Sequence, residues 1–100
     1  MEKERRVRSA AYLRHVRKSP CLNCQSPYPS AHHLQFPQQK IMGVKSGDEY
    51  AVPLCHKCHM ELHAYGNERI WWAIRGIDAL IWARDSYRAY NAAAIKRGRV

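Results

Sequence analysis

The stretch Leu54-Cys55-His56-Lys57-Cys58-His59-Met60-Glu61-Leu62-His63 decides the fold. It joins a CxxC pair to a segment that reads as a helix, and it sets two histidines one helical turn apart. Residues four apart share a helix face, so His59 and His63 can chelate one ion. A second CxxC pair, Cys21 and Cys24, lies upstream, and a double histidine, His32-His33, lies between the two pairs. All four cysteines and five of the six histidines fall within residues 21–63.

Each CxxC brings two thiolates to one ion from a single tight turn. Two such turns, Cys21/Cys24 and Cys55/Cys58, complete a tetrahedral zinc site that is closed to water and therefore structural. A chain of 100 residues has a small core, and a metal staple compensates for it. Thirty residues separate Cys24 from Cys55, more than in an ordinary zinc ribbon, so a sizeable segment is inserted and carries His32 and His33. Disulfides or free thiols are the alternative. Met1 to Lys18 is charged throughout and lacks the apolar core of a leader, and the longest apolar runs, 70–74 and 79–83, are too short to span a membrane. The expected compartment is the cytoplasm, where thiolates stay reduced and bind zinc.

The histidines suggest a second, chemical site. His32, at the end of a strand beside the helix, supplies a third ligand to His59 and His63. Three ligands leave positions open for water and substrate, as a catalytic divalent ion requires. His33 points to the other side of the strand and is placed as general base, since imidazole titrates near neutral pH. The alternative is that these are surface or core histidines; His15 and His56 are given no role.

The net charge is +9, from 17 Lys+Arg against 8 Asp+Glu. Such an excess implies a polyanionic partner, and DNA is the expected one. Arg5, Arg6, Arg8, Arg14, Arg17 and Lys18 crowd the start, Lys45 sits in the central loop, and Lys96, Arg97 and Arg99 close the chain. The elements suit a single α+β domain. A basic N-terminal helix is expected over 5–18 within residues 1–20. Strands are expected at 31–34 and 50–52, paired across a long loop, in a core of 21–66. A helix then runs from His56 to a cap at Gly66. Asn67 and Asp78 cap two C-terminal helices within 67–97. Trp71, Trp72 and Trp82 are read as packing.

Three motifs match only in part. Cys55 to His59 fits the haem-attachment pattern CxxCH, which needs export and would leave the other CxxC unexplained. In His59-Met60-Glu61-Leu62-His63 the glutamate comes one place too late for the zinc-protease HExxH. Met42-Gly43-Val44-Lys45-Ser46 has Val44 where a Walker A loop needs glycine.

Ala31-His32-His33-Leu34, taken with Val52-Pro53-Leu54 and the CHKCHMELH run, resembles the HNH endonucleases, also called ββα-metal or His-Me finger nucleases. The closer likeness is to small phage and prophage proteins, namely the Ref-type RecA-dependent nuclease and a related phage domain of unknown function. Gly43-Val44-Lys45, Gly66-Asn67-Glu68, Trp71-Trp72 and Gly76-Ile77-Asp78 carry that likeness over about residues 12–85. It implies a β-hairpin and helix gripping one divalent ion, with zinc knuckles alongside, to which the expected N- and C-terminal helices are flanking additions. His33 matches the general base. His32, His59 and His63 match ligands of a catalytic Mg²⁺, Mn²⁺, Zn²⁺ or Ni²⁺, and Cys21, Cys24, Cys55 and Cys58 match the structural zinc. It further implies hydrolysis of DNA phosphodiesters to 5′-phosphate and 3′-hydroxyl ends, and a recombinase or other phage recombination protein as a possible partner. The rival from another class is a non-catalytic zinc-binding DNA adaptor. One departure stands out. The family's orienting asparagine, a few residues before Leu54-Cys55, is replaced by Asp48-Glu49-Tyr50-Ala51, which leaves Asp48 or a backbone carbonyl to hold the His33 ring.

Overall fold

Ala51–Leu54 forms a strand, β2, that is buried along its whole length. The computed structural model describes residues 7–35 and 47–96. Successive side chains of β2 point to opposite faces, so the strand feeds two clusters. Val52 and Leu54 pack with Leu34, Leu62, Trp71, Trp72, Ala79, Ala83 and three of the cysteines. Ala51 joins Tyr12 and Val16. The partner strand β1, Ser30–His33, runs antiparallel, with Ser30 opposite Leu54 and His33 opposite Ala51. Pro53 is tolerated because β2 has a strand on one edge only, and its carbonyl accepts the Leu22 N–H at 3.0 Å.

The expected hairpin therefore forms, with its first strand one residue earlier than the 31–34 expected and its second running 51–54 where 50–52 was expected. Asp48–Tyr50 winds into a 3₁₀ turn first. The rest of the connecting loop, 36–46, lies outside the described residues.

Four helices complete the α+β domain among the described residues. Helix α1 spans Ala10–Val16, shorter than the 5–18 expected. Ser9 caps it, its Oγ accepting the Tyr12 N–H at 3.1 Å, and a cap of this kind is worth about 1 kcal/mol. The Val7 carbonyl is engaged outside the helix, accepting the Asp48 N–H at 2.8 Å. Helix α2, His56–Tyr65, ends at Gly66, whose φ of 88° is left-handed and suits glycine. Asn67 caps α3, Glu68–Ile74, by accepting the Ile70 N–H at 3.1 Å. Asp78 accepts the Ile81 N–H at 3.1 Å at the start of α4, Ala79–Lys96.

The tight α2–α3 turn folds the tryptophans back. Trp71 and Trp72 are buried, and Arg75 lies 3.7 Å over the Trp71 ring centroid while pairing with Glu61 at 3.6 Å. Truncating such a buried tryptophan typically costs about 3–5 kcal/mol, so this corner fixes where the start of α3 sits. On the other face Tyr12 packs edge-on against Tyr87 and Tyr90 and donates to Ser86 Oγ at 2.9 Å, which ties α1 to α4. Among the described residues no helix is long and apolar enough to cross a membrane.

Candidate functional site

The four cysteines come together. One sulfur from each of Cys21, Cys24, Cys55 and Cys58 lies within 4.8 Å of the others, and no two are bonded. The first knuckle closes on backbone bonds, Gln25 N–H to the Cys21 carbonyl at 2.9 Å and Cys21 N–H to the Ser26 carbonyl at 3.0 Å. Gln25 takes a left-handed φ of 67° to make that turn. The second knuckle is the end of β2 and the first turn of α2, with Cys55 as the residue before the helix. Cys24 and Cys55 sulfurs are 3.5 Å apart, near the separation of about 3.8 Å for thiolates at 2.3 Å from one tetrahedral ion. The group can hold a metal ion such as zinc.

Its electrostatics favour that ion. Burial and the sulfurs around it push the Cys58 thiol up to about 12, despite the Asn23 side-chain donor 3.3 Å away. Burial acts the same way on Cys21, but backbone donors at Cys24, Cys55 and Asn23 outweigh it and bring that thiol down to about 7. Four thiolates this close repel one another, and a divalent cation removes the conflict. Asn23, the amide that touches Cys58, was not singled out from the sequence; its signal was a polar donor inside the CLNC turn.

The histidines are gathered more loosely. His59 and His63 project from one face of α2 with their Nε2 atoms 3.0 Å apart. Two imidazoles on one tetrahedral ion would stand about 3.3 Å apart, so the pair is near chelating geometry. The His32 ring lies 5.0 Å from the His59 ring, centroid to centroid, and His59 lies 4.5 Å from His63. Among the described residues only the cysteines bring three or more donor atoms within 4.8 Å of one another. Burial, then the neighbouring His32 and His63, lowers the His59 pKa and keeps its ring neutral, the form that binds metal.

Each histidine of the pair in β1 has a carboxylate. His33 Nε2 lies 2.8 Å from Asp48 Oδ1, and His32 Nε2 lies 2.8 Å from Glu68 Oε2. An ionised carboxylate only accepts, so each ring donates from Nε2, and in its neutral form it keeps its lone pair on Nδ1. The two rings leave the strand on opposite sides, as strand alternation requires. Partial burial would raise the Asp48 carboxyl, but hydrogen bonds from His33 and from the Ser9 N–H, at 2.6 Å, hold it below the usual range. Glu68 follows the same pattern: burial is outweighed by the hydrogen bonds of His32 and Trp72. Asp48 was one of two groups expected to hold His33. Glu68 stood out in the sequence only as part of the Gly66-Asn67-Glu68 likeness.

A cleft of about 590 Å³ opens beside the histidines, lined by Gln35, His63, Asn67, Glu68, Arg69 and Ile70 among others. Arg8, Arg14, Arg17 and Lys18 are exposed at and around α1. The N-terminal segment reaches the site directly, since Val7 and Ser9 both bond to Asp48. Arg5, Arg6, Lys45 and Arg97 lie outside the described residues.

Comparison with known proteins agrees on one point. The family described as "Protein of unknown function (DUF968)" matches residues 1–92. The chain belongs to the DUF968 family. The match takes in every element described here except the last turn of α4. This DUF968 chain is also 41% identical, over 63 residues, to the uncharacterized protein YdfU of Escherichia coli (strain K12), covering 63% of the chain and 18% of that protein. The chain thus corresponds to less than a fifth of that relative's length. No solved structure matches it.

Proposed function

We propose that the chain is a metal-dependent endonuclease of the HNH kind that hydrolyses DNA phosphodiesters. The observation that carries the reading is the His33–Asp48 pair at 2.8 Å, set on the strand face opposite the one from which His32 meets the histidines of α2. A general base needs one nitrogen held and the other free. Asp48 accepts from Nε2–H, which leaves Nδ1 to take the proton of a water aimed in line at phosphorus. Asp48 then stabilises the imidazolium that forms. The exposed arginines of the α1 region hold phosphates on either side without reading sequence. Cys21, Cys24, Cys55 and Cys58 hold a structural zinc.

The donor set beside the dyad suits a second ion. Three imidazoles, one of them held neutral by its surroundings, fit a borderline metal such as Zn²⁺, Ni²⁺ or Mn²⁺, and a neighbouring open cleft leaves room for substrate. When bound, that ion supplies Lewis-acid stabilisation of the charge that builds on the phosphate and the departing oxygen.

Plasmid nicking in the presence of Mg²⁺, Mn²⁺, Zn²⁺ or Ni²⁺ tests the reading. His33→Ala should lower the rate by about 10²–10⁴-fold, the usual span for a general base, with folding and DNA binding kept. Undiminished nicking by that variant would remove His33 from the chemistry. A wild-type protein that binds DNA and takes zinc but never nicks would favour the rival, a zinc-binding DNA adaptor. The looser packing of the histidine donors relative to the cysteines is the observation on that rival's side.

A further inference from the structure

Glu68 has more partners than a surface acid needs. Its side chain and that of His32 are each only 9% exposed. Oε2 accepts from His32 Nε2–H at 2.8 Å and from Trp72 Nε1–H at 3.0 Å. Oε1 accepts the Gln35 N–H at 3.2 Å. One carboxylate thus joins the end of β1 to the start of α3, across 36 residues of sequence. Trp72 is four residues after Glu68 on α3, so the helix aligns its indole with the acid. The tryptophan corner described above then holds the whole group against the sheet.

We propose that Glu68 is the positioning residue that presents His32 to the second ion, and that it acts through the ring rather than by binding the ion. The inference rests on the histidine metal site of the proposed function. Two features argue against Glu68 as a ligand. Both of its oxygens are already engaged. Turning Oε2 to a metal would also strip the Trp72 Nε1–H of its acceptor, although Trp72 is 2% exposed and a buried donor without a partner is costly. The bond to Glu68 instead fixes the His32 tautomer. With Nε2 protonated, Nδ1 carries the lone pair and is the only nitrogen of that ring able to coordinate. A carboxylate behind a metal-bound imidazole also raises its basicity, and loss of such a partner typically weakens metal binding by about 10–100-fold.

The test uses the full chain with its cysteine site loaded with zinc, titrated with Ni²⁺ by calorimetry, so that the readout is affinity and not nicking. Wild type should take one Ni²⁺ at the histidines. Glu68→Gln should bind it about 10–100-fold more weakly, with zinc content and far-ultraviolet circular dichroism unchanged. His32→Ala should show a comparable loss, and adding Glu68→Gln to it should cost less than about twofold more, as expected when one residue acts only through the other. Trp72→Phe removes the other side-chain donor to Oε2 and serves as the control for packing; it should leave Ni²⁺ affinity within about twofold of wild type even if the melting temperature falls. Wild-type affinity in Glu68→Gln overturns the proposal. So does a loss that persists in full on the His32→Ala background, because Glu68 would then be a ligand itself. A wild-type protein that takes no Ni²⁺ beyond the cysteine site overturns the histidine site as well, and is told apart from the other two results by its isotherm alone.

Discussion

The cysteine cluster and the histidine cluster share α2, through Cys58 on one side and His59 and His63 on the other, yet they are assembled in different ways. Each cysteine is three residues from its mate, and the pairs are held by turn hydrogen bonds and by the first turn of α2. Their sulfurs are already within 4.8 Å of one another. Of the histidines, only His59 and His63 are local neighbours. His32 and His33 come from a different element, and each is steered by an acid from elsewhere in the chain, Glu68 at 36 residues and Asp48 at 15. On the proposed reading the cage is part of what folds the chain, while the histidine site is a product of the fold. Changes to the two should have different consequences.

The largest effect belongs to the cage. Cys58→Ser removes a buried ligand and leaves three thiolates short of a closed shell. Structural zinc contributes on the order of 10–16 kcal/mol of apparent binding energy in small domains, so losing one ligand should cost at least about 5 kcal/mol. For a domain of this size that is roughly 20 °C or more in melting temperature. Zinc content by atomic absorption should fall with it. A variant that melts like wild type but no longer nicks DNA would reverse the comparison and make the cysteines the chemical site.

Asp48→Asn comes next and touches only the histidine side. An amide can still meet the His33 ring, but it cannot stabilise an imidazolium as a carboxylate does. Nicking should slow by about 10–100-fold, the usual cost of losing an orienting partner, while zinc content stays at the wild-type value. An unchanged rate would mean that His33 does not need Asp48.

These contrasts explain what was legible in the chain beforehand. The cage could be read because its paired cysteines are three residues apart, so spacing alone implies geometry. Gly66, Asn67 and Asp78 could be read as helix boundaries for the same reason: a cap acts within three or four residues. Asp48 could be named because a gap in a familiar pattern pointed to its neighbourhood. Glu68 could not, because its role depends on α3 folding back onto β1, and no local spacing encodes that return. The start of α1 was misjudged for a related reason. The basic run from Arg5 has helical character, but Ser9 offers a cap and the Val7 carbonyl finds Asp48, so the described helix begins at Ala10.

A smaller effect concerns DNA. Arg14 and Arg17 are exposed on and just after α1 and are expected to meet phosphates. Replacing both with alanine should weaken binding evenly across sequences and reduce the slope of log affinity against log salt by about two, roughly one per lost phosphate contact. Nicking at saturating DNA should be nearly unchanged. A slope that does not move would take α1 out of the interface and leave the positive charge elsewhere to account for binding.

The smallest effect is on stability at low pH, and it separates the acid's structural role from its chemical one. The Asp48 carboxyl is held below its ordinary value of 3.8 in the folded protein. Between the depressed native value and the ordinary one, the unfolded chain binds more protons than the folded chain, so stability rises with pH across that window. The contribution is fully present above the ordinary value and is lost as pH falls through the native one. Asp48→Asn cannot titrate, so the part of the stability difference between wild type and variant that comes from the carboxylate should shrink as pH falls below about 4. Urea unfolding at matched pH measures it, and taking the difference cancels the acid release of zinc that both proteins share. A difference that stays flat down to pH 3 would mean that the His33–Asp48 bond contributes nothing to the folded state. Slow nicking by Asp48→Asn could then be ascribed to the chemistry alone.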